Sequence, residues 1–384
     1  MHAEPNTADC SPESIPPTIV WPSLTRTGTT LAGLTTLRVG GAASRYVETT
    51  TEAELIEAVR SADADGEPLL VVGGGSNLLV SDDGFDGVVV RDVRSGIEVP
   101  DASACAGATL TVPAGTPWDE VVRYAVEQEL TGIETLSGIP GSTGATPVQN
   151  VGAYGQEVSQ SISIVRVWDR ARGKVRTLPL VTLAFGYRTS LLKRSMHGTD
   201  PADPRAPWSP TPRYVVLDVT FQLRPGTMSR PVVYAELART LGIAVGERAP
   251  LAQVRETVLA LRARKGMVLD AADHDTWSAG SFFTNPILAS AAADALPADA
   301  PRFPAGDDAV KTSAAWLIDR AGFARGFGAP GPATLSTKHT LALTNRGGAT
   351  AADLLSVARQ VRAGVAERFG VTLEPEPVLV GVSL

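Results

Sequence analysis

Only two of the 384 residues are cysteines, Cys10 and Cys105. Usage this sparse gives no disulfide framework and fits a reducing compartment. Histidine is nearly as scarce. His2, His197, His274 and His339 lie far apart, and no Cys or His pair has the spacing of a metal site, so each is expected at the surface or in a hydrogen bond. No apolar run approaches the roughly 18 residues needed to cross a bilayer. The opening MHAEPNTADCSPESIPP also lacks the basic head and apolar stretch of a secretion signal. A surplus of basic charge is missing too: Lys and Arg number 34 against 41 Asp and Glu, a net charge of −7. That argues against a nucleic-acid partner, which would need the opposite balance. The nucleophile elbow G-x-S-x-G is absent, which disfavours a serine hydrolase. These absences lead to the expectation of a soluble, cytoplasmic, metal-free protein.

What is present is a long chain with 43% hydrophobic residues, enough for a large core in two or three domains. Residues 1 to about 30 are rich in Pro, Thr and Ser and read as a mobile lead-in. TTLRVGGAASRYVETT reads as short extended segments. TEAELIEAVRSADADG has apolar residues at helical spacing and ends on Gly66. PLLVVGGGSNLLVSD is a strand, a glycine cluster and a second strand. GVVVRD is a further strand and DEVVRYAVEQEL an amphipathic helix. This alternation gives an α+β or α/β region to about residue 225. Beyond it PLAQVRETVLALRARKG and AADLLSVARQVRAGVAERFG read as helices, and VTLEPEPVLVGVSL as an extended ending. Two stretches, HGTDPADPRAPWSPTP and ALPADAPRFPAGDDA, read as loops.

Two glycine clusters carry the first chemical signal. Gly73, Gly74 and Gly75 directly follow an apolar strand, with Ser76 and Asn77 next. Successive glycines let the backbone turn several N–H groups toward one anionic oxygen. A tight turn between two strands is the equal alternative, since Leu78 stands where the third glycine of G-x-G-x-x-G would be. The second cluster, SGIPGSTGATPVQNVGAYG, holds Gly138, Gly141, Gly144, Gly152 and Gly155 among polar residues. A long irregular segment in a compact chain is more often functional than not. Ile139, Val148, Val151 and Tyr154 within it point to packing rather than a free linker. Two such nests suggest an extended dinucleotide ligand.

SAGSFFTNP, from Ser278 to Pro286, sets Ser281 beside Gly280 and two phenylalanines. In order along the chain, VVGGGSNLLV, SGIPGSTGATPVQNVGAYGQEV, FGYRTSLLK, SAGSFFTNP, AAWLIDRAG and LEPEPVLVG together resemble the UDP-N-acetylenolpyruvoylglucosamine reductase family, from about Leu34 to Gly381. Any one of these motifs is weak, whereas the ordered set is specific. The resemblance implies an α+β chain with a two-lobed, PCMH/VAO-like FAD-binding fold followed by a smaller α+β substrate domain. It divides the chain into a disordered or extended tail (1–30), flavin lobes at 31–95 and 96–228, a substrate domain at 229–370, and a segment at 371–384 that returns a glutamate to the flavin.

The resemblance further implies non-covalent FAD, NADPH as co-substrate, a UDP-sugar substrate and a monomer. Hydride would pass from NADPH to flavin N5 and then to the vinyl methylene carbon of the enolpyruvyl group. Cofactor contacts would fall to Gly73, Gly74, Gly75, Ser76, Asn77, Gly138, Pro140, Gly141, Thr146, Gly152 and Ala153. An enol ether accepts hydride only if its carboxylate can take the developing charge, so strong donors are needed there. Arg188 matches the arginine that would bind that carboxylate at two points. Glu376, between Pro375 and Pro377, matches the acidic position that could donate a hydrogen bond when protonated. Its extended backbone would send Glu374 to roughly the same side. Ser281 matches the proton donor, a role that needs no histidine partner. Gly280 would allow close approach and the phenylalanines would anchor the turn.

Tyr187, Tyr234, Lys265, Asn285 and His339 match positions that hold the sugar or diphosphate, and Tyr234 implies the subgroup with an extra segment folding over the nucleotide. Lys265, ending a helix, would be favoured there by the helix dipole in any case. Thr284 departs from the pattern, standing where many relatives have lysine. Another flavin-linked oxidase and a non-catalytic nucleotide-binding module are the competing classes. The combination of Arg188, Ser281 and Glu376 disfavours the second, and the lack of a histidine placed for covalent flavin disfavours the first.

Overall fold

In a computed structural model of the chain, the structure describes residues 18–19, 30–103, 107–198 and 205–384. Both cysteines, His2, most of the expected lead-in and part of the Pro-rich 197–212 stretch lie outside the described residues. The chain divides into two compact units, each discontinuous in sequence. One comprises Met1–Leu24, Val93–Pro207 and Pro212–Leu259; the other comprises Thr25–Asp92, Trp208–Thr211 and Ala260–Leu384.

The first unit is organised on an antiparallel sheet. Strand Tyr214–Pro225 runs through its middle, between Gly107–Pro113 and Ile162–Asp169. Ile97–Ser103 and Lys174–Pro179 extend the two sides, and Thr18–Ile19 pairs with Ile97 and Glu98 at one edge. Residues 214–221 of the central strand are all buried, so its apolar run reads continuously rather than alternating. Helix Trp118–Glu127 buries Trp118, Val121, Val122 and Ala125 in the same core. The Trp118 ring lies 5.6 Å from that of Phe221, and its indole N–H donates to the Leu136 carbonyl at 3.1 Å. The helix stops short of the sequence expectation because Glu129 takes φ +53 and Leu130 joins a strand opposite Pro225. Ile139, Val148 and Val151 of the glycine-rich segment pack against this core, as the sequence suggested.

The second unit contains a parallel sheet in which Phe85–Asp92 lies between Ala43–Thr49 and Leu69–Val72. Helix Glu52–Asp65 makes the first crossover. Thr51 and Glu54 form a reciprocal capping box at its start, and Gly66 ends it in the left-handed region. A second parallel pair joins Leu78–Val80 to Val378–Val380, so the C-terminal segment runs beside the first glycine cluster. Helix Ala351–Phe369 puts Leu354, Leu355, Ala358, Val361 and Val365 into one core with Phe282, Phe283 and the hairpin Ala333–Leu335/Leu343–Asn345.

The stretch ALPADAPRFPAGDDA is not wholly loop. Phe303–Pro304 pairs with Val310–Lys311 at the edge of a small three-stranded sheet, where a proline leaves no buried ladder bond unmade. Trp208 and Thr211 of the other Pro-rich stretch are buried, and the Thr211 hydroxyl accepts from the Val71 N–H at 2.8 Å. Helices packed on largely separate parallel and antiparallel sheets make the fold α+β. Among the described residues no helix is long and apolar enough to cross a membrane.

Candidate active site

The second unit brings Ser281 and Glu376 onto neighbouring backbone segments. The Thr284 N–H donates to the Glu374 carbonyl at 3.0 Å, and the Glu376 N–H to the Phe282 carbonyl at 2.8 Å. On its other side Glu376 offers its carbonyl to the Asn77 side-chain amide at 3.2 Å, while the Val378 N–H donates to the Asn77 carbonyl at 2.9 Å. Pro375 and Pro377 have no N–H, so the segment can donate backbone hydrogen bonds only through the residues beside them. Glu376 is thereby held from both sides and is half-buried. Glu374, two residues earlier, is exposed and pairs with Arg362 at 3.5 Å.

Phe282 and Phe283 are each 1% exposed, with rings 5.1 Å apart edge to face, and the Phe282 N–H donates to the Leu341 carbonyl. They anchor the turn that presents Ser281. Among the described residues the Ser281 hydroxyl makes no hydrogen bond, and the residue is half-buried. Gly280 has φ +74, but a Cβ there would meet nothing within 4 Å. The backbone conformation alone favours glycine there.

Around these residues other side chains are fixed in definite orientations. The Asn285 side-chain oxygen accepts from the Ala314 N–H at 2.9 Å, which turns its NH₂ group the other way. His339 Nδ1 accepts from the Leu341 N–H at 3.0 Å, so the neutral ring carries its proton on Nε2. The His339 and Lys338 N–H groups both donate to the Ser336 hydroxyl, which donates to Asp275 at 2.9 Å. Asp275 is 4% exposed. Burial pushes its carboxyl up, but hydrogen bonds from Thr337 and Ser336 and the charge of Arg346 outweigh this and hold it below the usual value. Lys265 follows the last residue of helix Leu251–Arg264 and is half-buried.

The Gly73–Asn77 turn also lies in this unit. Gly75 has φ +61, and a Cβ there would sit 1.8 Å from the Leu34 carbonyl oxygen. No backbone hydrogen bond among the described residues uses the N–H groups of Gly74, Gly75 or Ser76. The turn therefore holds backbone donors suited to an anionic oxygen such as that of a diphosphate.

In the first unit the segments PVQNVG and GYRTSLLK are laced together. Gly186 and Thr189 bridge to each other, leaving Tyr187 and Arg188 at the tip of a tight turn. Arg188 has φ +51, a position where such turns ordinarily carry Gly or Asn. Its guanidinium donates to the Asn150 carbonyl at 3.4 Å and to the Gly152 carbonyl at 3.2 Å, and lies 5.7 Å from the Tyr187 ring. Lys193 donates to the Gln149 side chain, and the Ser190 hydroxyl donates to the Val148 carbonyl. Tyr154 and Tyr234 meet edge to face at 5.3 Å, with Tyr234 exposed.

The remaining residues expected at the cofactor lie in the first unit. The Gly138 N–H is already committed to Asp119 at 2.6 Å, whose carboxylate also binds Arg255 through two bonds at 2.8 Å. The Thr146 hydroxyl donates to the Thr143 carbonyl at 2.8 Å and is buried. Pro140, Gly141, Gly152 and Ala153 are half-buried. Sequence reasoning passed over Asn150, Glu157, Asp275 and Ser336. Asn150 lies inside a quoted motif, between Gln149 and Val151, but was given no role of its own.

Against known proteins, the family described as UDP-N-acetylenolpyruvoylglucosamine reductase, C-terminal domain, matches residues 272–380, and an FAD binding domain matches residues 43–179. The chain is 55% identical to the UDP-N-acetylenolpyruvoylglucosamine reductase of Cutibacterium acnes, over 92% of this chain and 90% of that one. It is 54% identical to the protein of the same name from Streptomyces avermitilis, over 92% and 94% of the two chains. The crystal structure of UDP-N-acetylenolpyruvylglucosamine reductase from Thermus caldophilus superposes with a TM-score of 0.59 at 26% identity, covering 91% of this chain and 97% of that one. The FAD binding domain spans both glycine clusters, and the C-terminal domain spans Ser281, Asn285, His339 and Glu376. The chain belongs to the UDP-N-acetylenolpyruvoylglucosamine reductase family and is an FAD-dependent oxidoreductase.

Proposed function

We propose that this enzyme uses NADPH to reduce UDP-N-acetylglucosamine enolpyruvate to UDP-N-acetylmuramate in peptidoglycan precursor synthesis. In this reading residues 31–95 and 96–228 are the flavin lobes, 229–370 the substrate domain, and 371–384 the segment that returns Glu376. The observation that supports it most is the pairing of the Ser281 and Glu376 segments through Phe282, with the Ser281 hydroxyl committed to no other group.

Bound FAD would supply the redox chemistry, carrying hydride from NADPH to the vinyl methylene carbon. Gly73 to Asn77 would hold its diphosphate through backbone N–H groups, with further contacts from the 138–153 segment. Arg188 binds the substrate carboxylate and Glu376, protonated, donates to it. Together they stabilise the negative charge that develops on that carboxylate as hydride arrives. Ser281 then delivers its proton to the neighbouring carbon, leaving an sp³ centre and a serine that regains a proton from solvent. Tyr187, Lys265, Asn285 and His339 hold the sugar and diphosphate. Tyr234, exposed and set edge to face against Tyr154, covers the nucleotide as expected of the subgroup with the extra segment.

The test is a two-step anaerobic titration of the purified yellow protein. NADPH should bleach it, and the enolpyruvyl nucleotide should restore the colour. A protein that bleaches but ignores the nucleotide would belong with other flavin-linked oxidoreductases, and a colourless protein unable to bind FAD would end the proposal.

A further inference from the structure

We propose that Asn150 is the positioning residue for Arg188, fixing both the turn that carries this arginine and the direction of its guanidinium. The proposal rests on the reading that Arg188 binds the substrate carboxylate, and it adds a residue to which that reading gave no role.

Asn150 is 1% exposed, and every polar atom of its side chain is engaged. Its amide nitrogen donates to Glu157 at 2.8 Å and to the Gly186 carbonyl at 3.2 Å, and its side-chain oxygen accepts from the Ser159 N–H at 3.2 Å. Gly186 opens the turn that holds Arg188 at φ +51. A non-glycine residue keeps such a backbone only where its surroundings over-determine it. The bond from Asn150 to Gly186 does so at the base of the turn. The backbone carbonyl of Asn150 then accepts from the Arg188 guanidinium, so one residue grips the turn with its side chain and the arginine head with its main chain.

Asn150 itself has φ +50, a conformation asparagine tolerates better than most residues, and this aims its carbonyl. Only an amide meets these demands. It must accept from one backbone N–H while donating to a carboxylate and a carbonyl. Aspartate has nearly the same shape but would place an acceptor against Glu157 and Gly186. Gly152 closes the arrangement: a Cβ there would lie 2.8 Å from the Glu157 Cγ and 3.5 Å from an Arg188 guanidinium nitrogen. That leaves the two carbonyls free to meet the guanidinium edge.

The experiment separates the two half-reactions in the flavin-loaded protein. Asn150→Asp and Asn150→Gly should slow reoxidation by the enolpyruvyl nucleotide at least tenfold while changing flavin reduction by NADPH less than twofold. Asn150→Gly retains the φ requirement and serves where the aspartate variant fails to fold. Combined with Arg188→Ala, neither change should slow reoxidation further. Equal slowing of both half-reactions, or additive losses in the double variant, would overturn the proposal. An independent readout is the ¹⁵N signal of the Arg188 guanidinium, identified by its loss in Arg188→Ala. It should be protected from exchange in the native protein and averaged in Asn150→Gly. An unchanged signal overturns the positioning role even if Arg188 proves catalytic. Full activity in Arg188→Ala would instead refute the role of Arg188, and the guanidinium signal would still decide that of Asn150.

Discussion

Glu376 and Phe282 are joined by one backbone hydrogen bond of 2.8 Å, and that bond ties the chain's last glutamate to the turn bearing Ser281. The two segments are far apart in sequence and meet because Phe282 and Phe283 are buried and because the C-terminal strand pairs with Leu78–Val80. The anchor is apolar, while the groups it presents are polar. Damage to the anchor should therefore first appear as lost stability.

Phe282→Ala should lower the unfolding free energy by about 3–5 kcal/mol, the usual cost of emptying a fully buried aromatic site. Urea denaturation of the flavin-loaded protein measures it. A loss under about 1 kcal/mol, little more than the ~0.8 kcal/mol of one buried methylene, would mean that Phe282 does not hold the turn.

Two glycines should respond very differently to alanine. At Gly280 the surroundings are open and only the φ of +74 resists a side chain, so Gly280→Ala should cost about 1–2 kcal/mol. At Gly75 a Cβ would sit 1.8 Å from the Leu34 carbonyl oxygen, and backbone must move. Gly75→Ala should abolish flavin retention or soluble expression, whereas Gly280→Ala should stay yellow. Comparing flavin content per protein after gel filtration distinguishes them.

Acid should weaken the protein partly through Asp275. Its folded carboxyl titrates below the ordinary 3.8, so its contribution is present above that value and is lost as pH falls through the lower folded value. Asp275→Asn should therefore be less stable than the native protein at pH 7, by about 1–3 kcal/mol for the weakened hydrogen bonds. The gap should narrow below about pH 4, near the model-peptide carboxyl value. Denaturant midpoints across this range test it, and a gap independent of pH would contradict the assignment.

Much of the fold was legible because its signals are local. The helix at 52–65 is written in Thr51, Glu54 and Gly66, and the one at 351–369 in its apolar spacing and Gly370. The parallel pairing of Val378–Val380 with Leu78–Val80 was not legible, since nothing local specifies a partner some three hundred residues away. The loop reading of 295–309 failed for a related reason: Pro304 argues against a strand in general, yet an edge position accepts it. At the site, the resemblance picked out Ser281 and Glu376 by their motifs, and the structure brings their segments together. It could not reveal Asn150, because a fully engaged amide is defined by three partners that only the folded chain assembles. Nor could it reveal that the Gly138 N–H is already taken by Asp119.

The central claim is that Ser281 delivers a proton and takes no part in flavin reduction. Rapid-mixing absorbance of Ser281→Ala tests this directly. Bleaching by NADPH should proceed at close to the native rate, and recolouring by the enolpyruvyl nucleotide should slow by about two to four orders of magnitude, the range typical of a lost general acid. Equal slowing of both steps would contradict the account and leave Ser281 a structural residue.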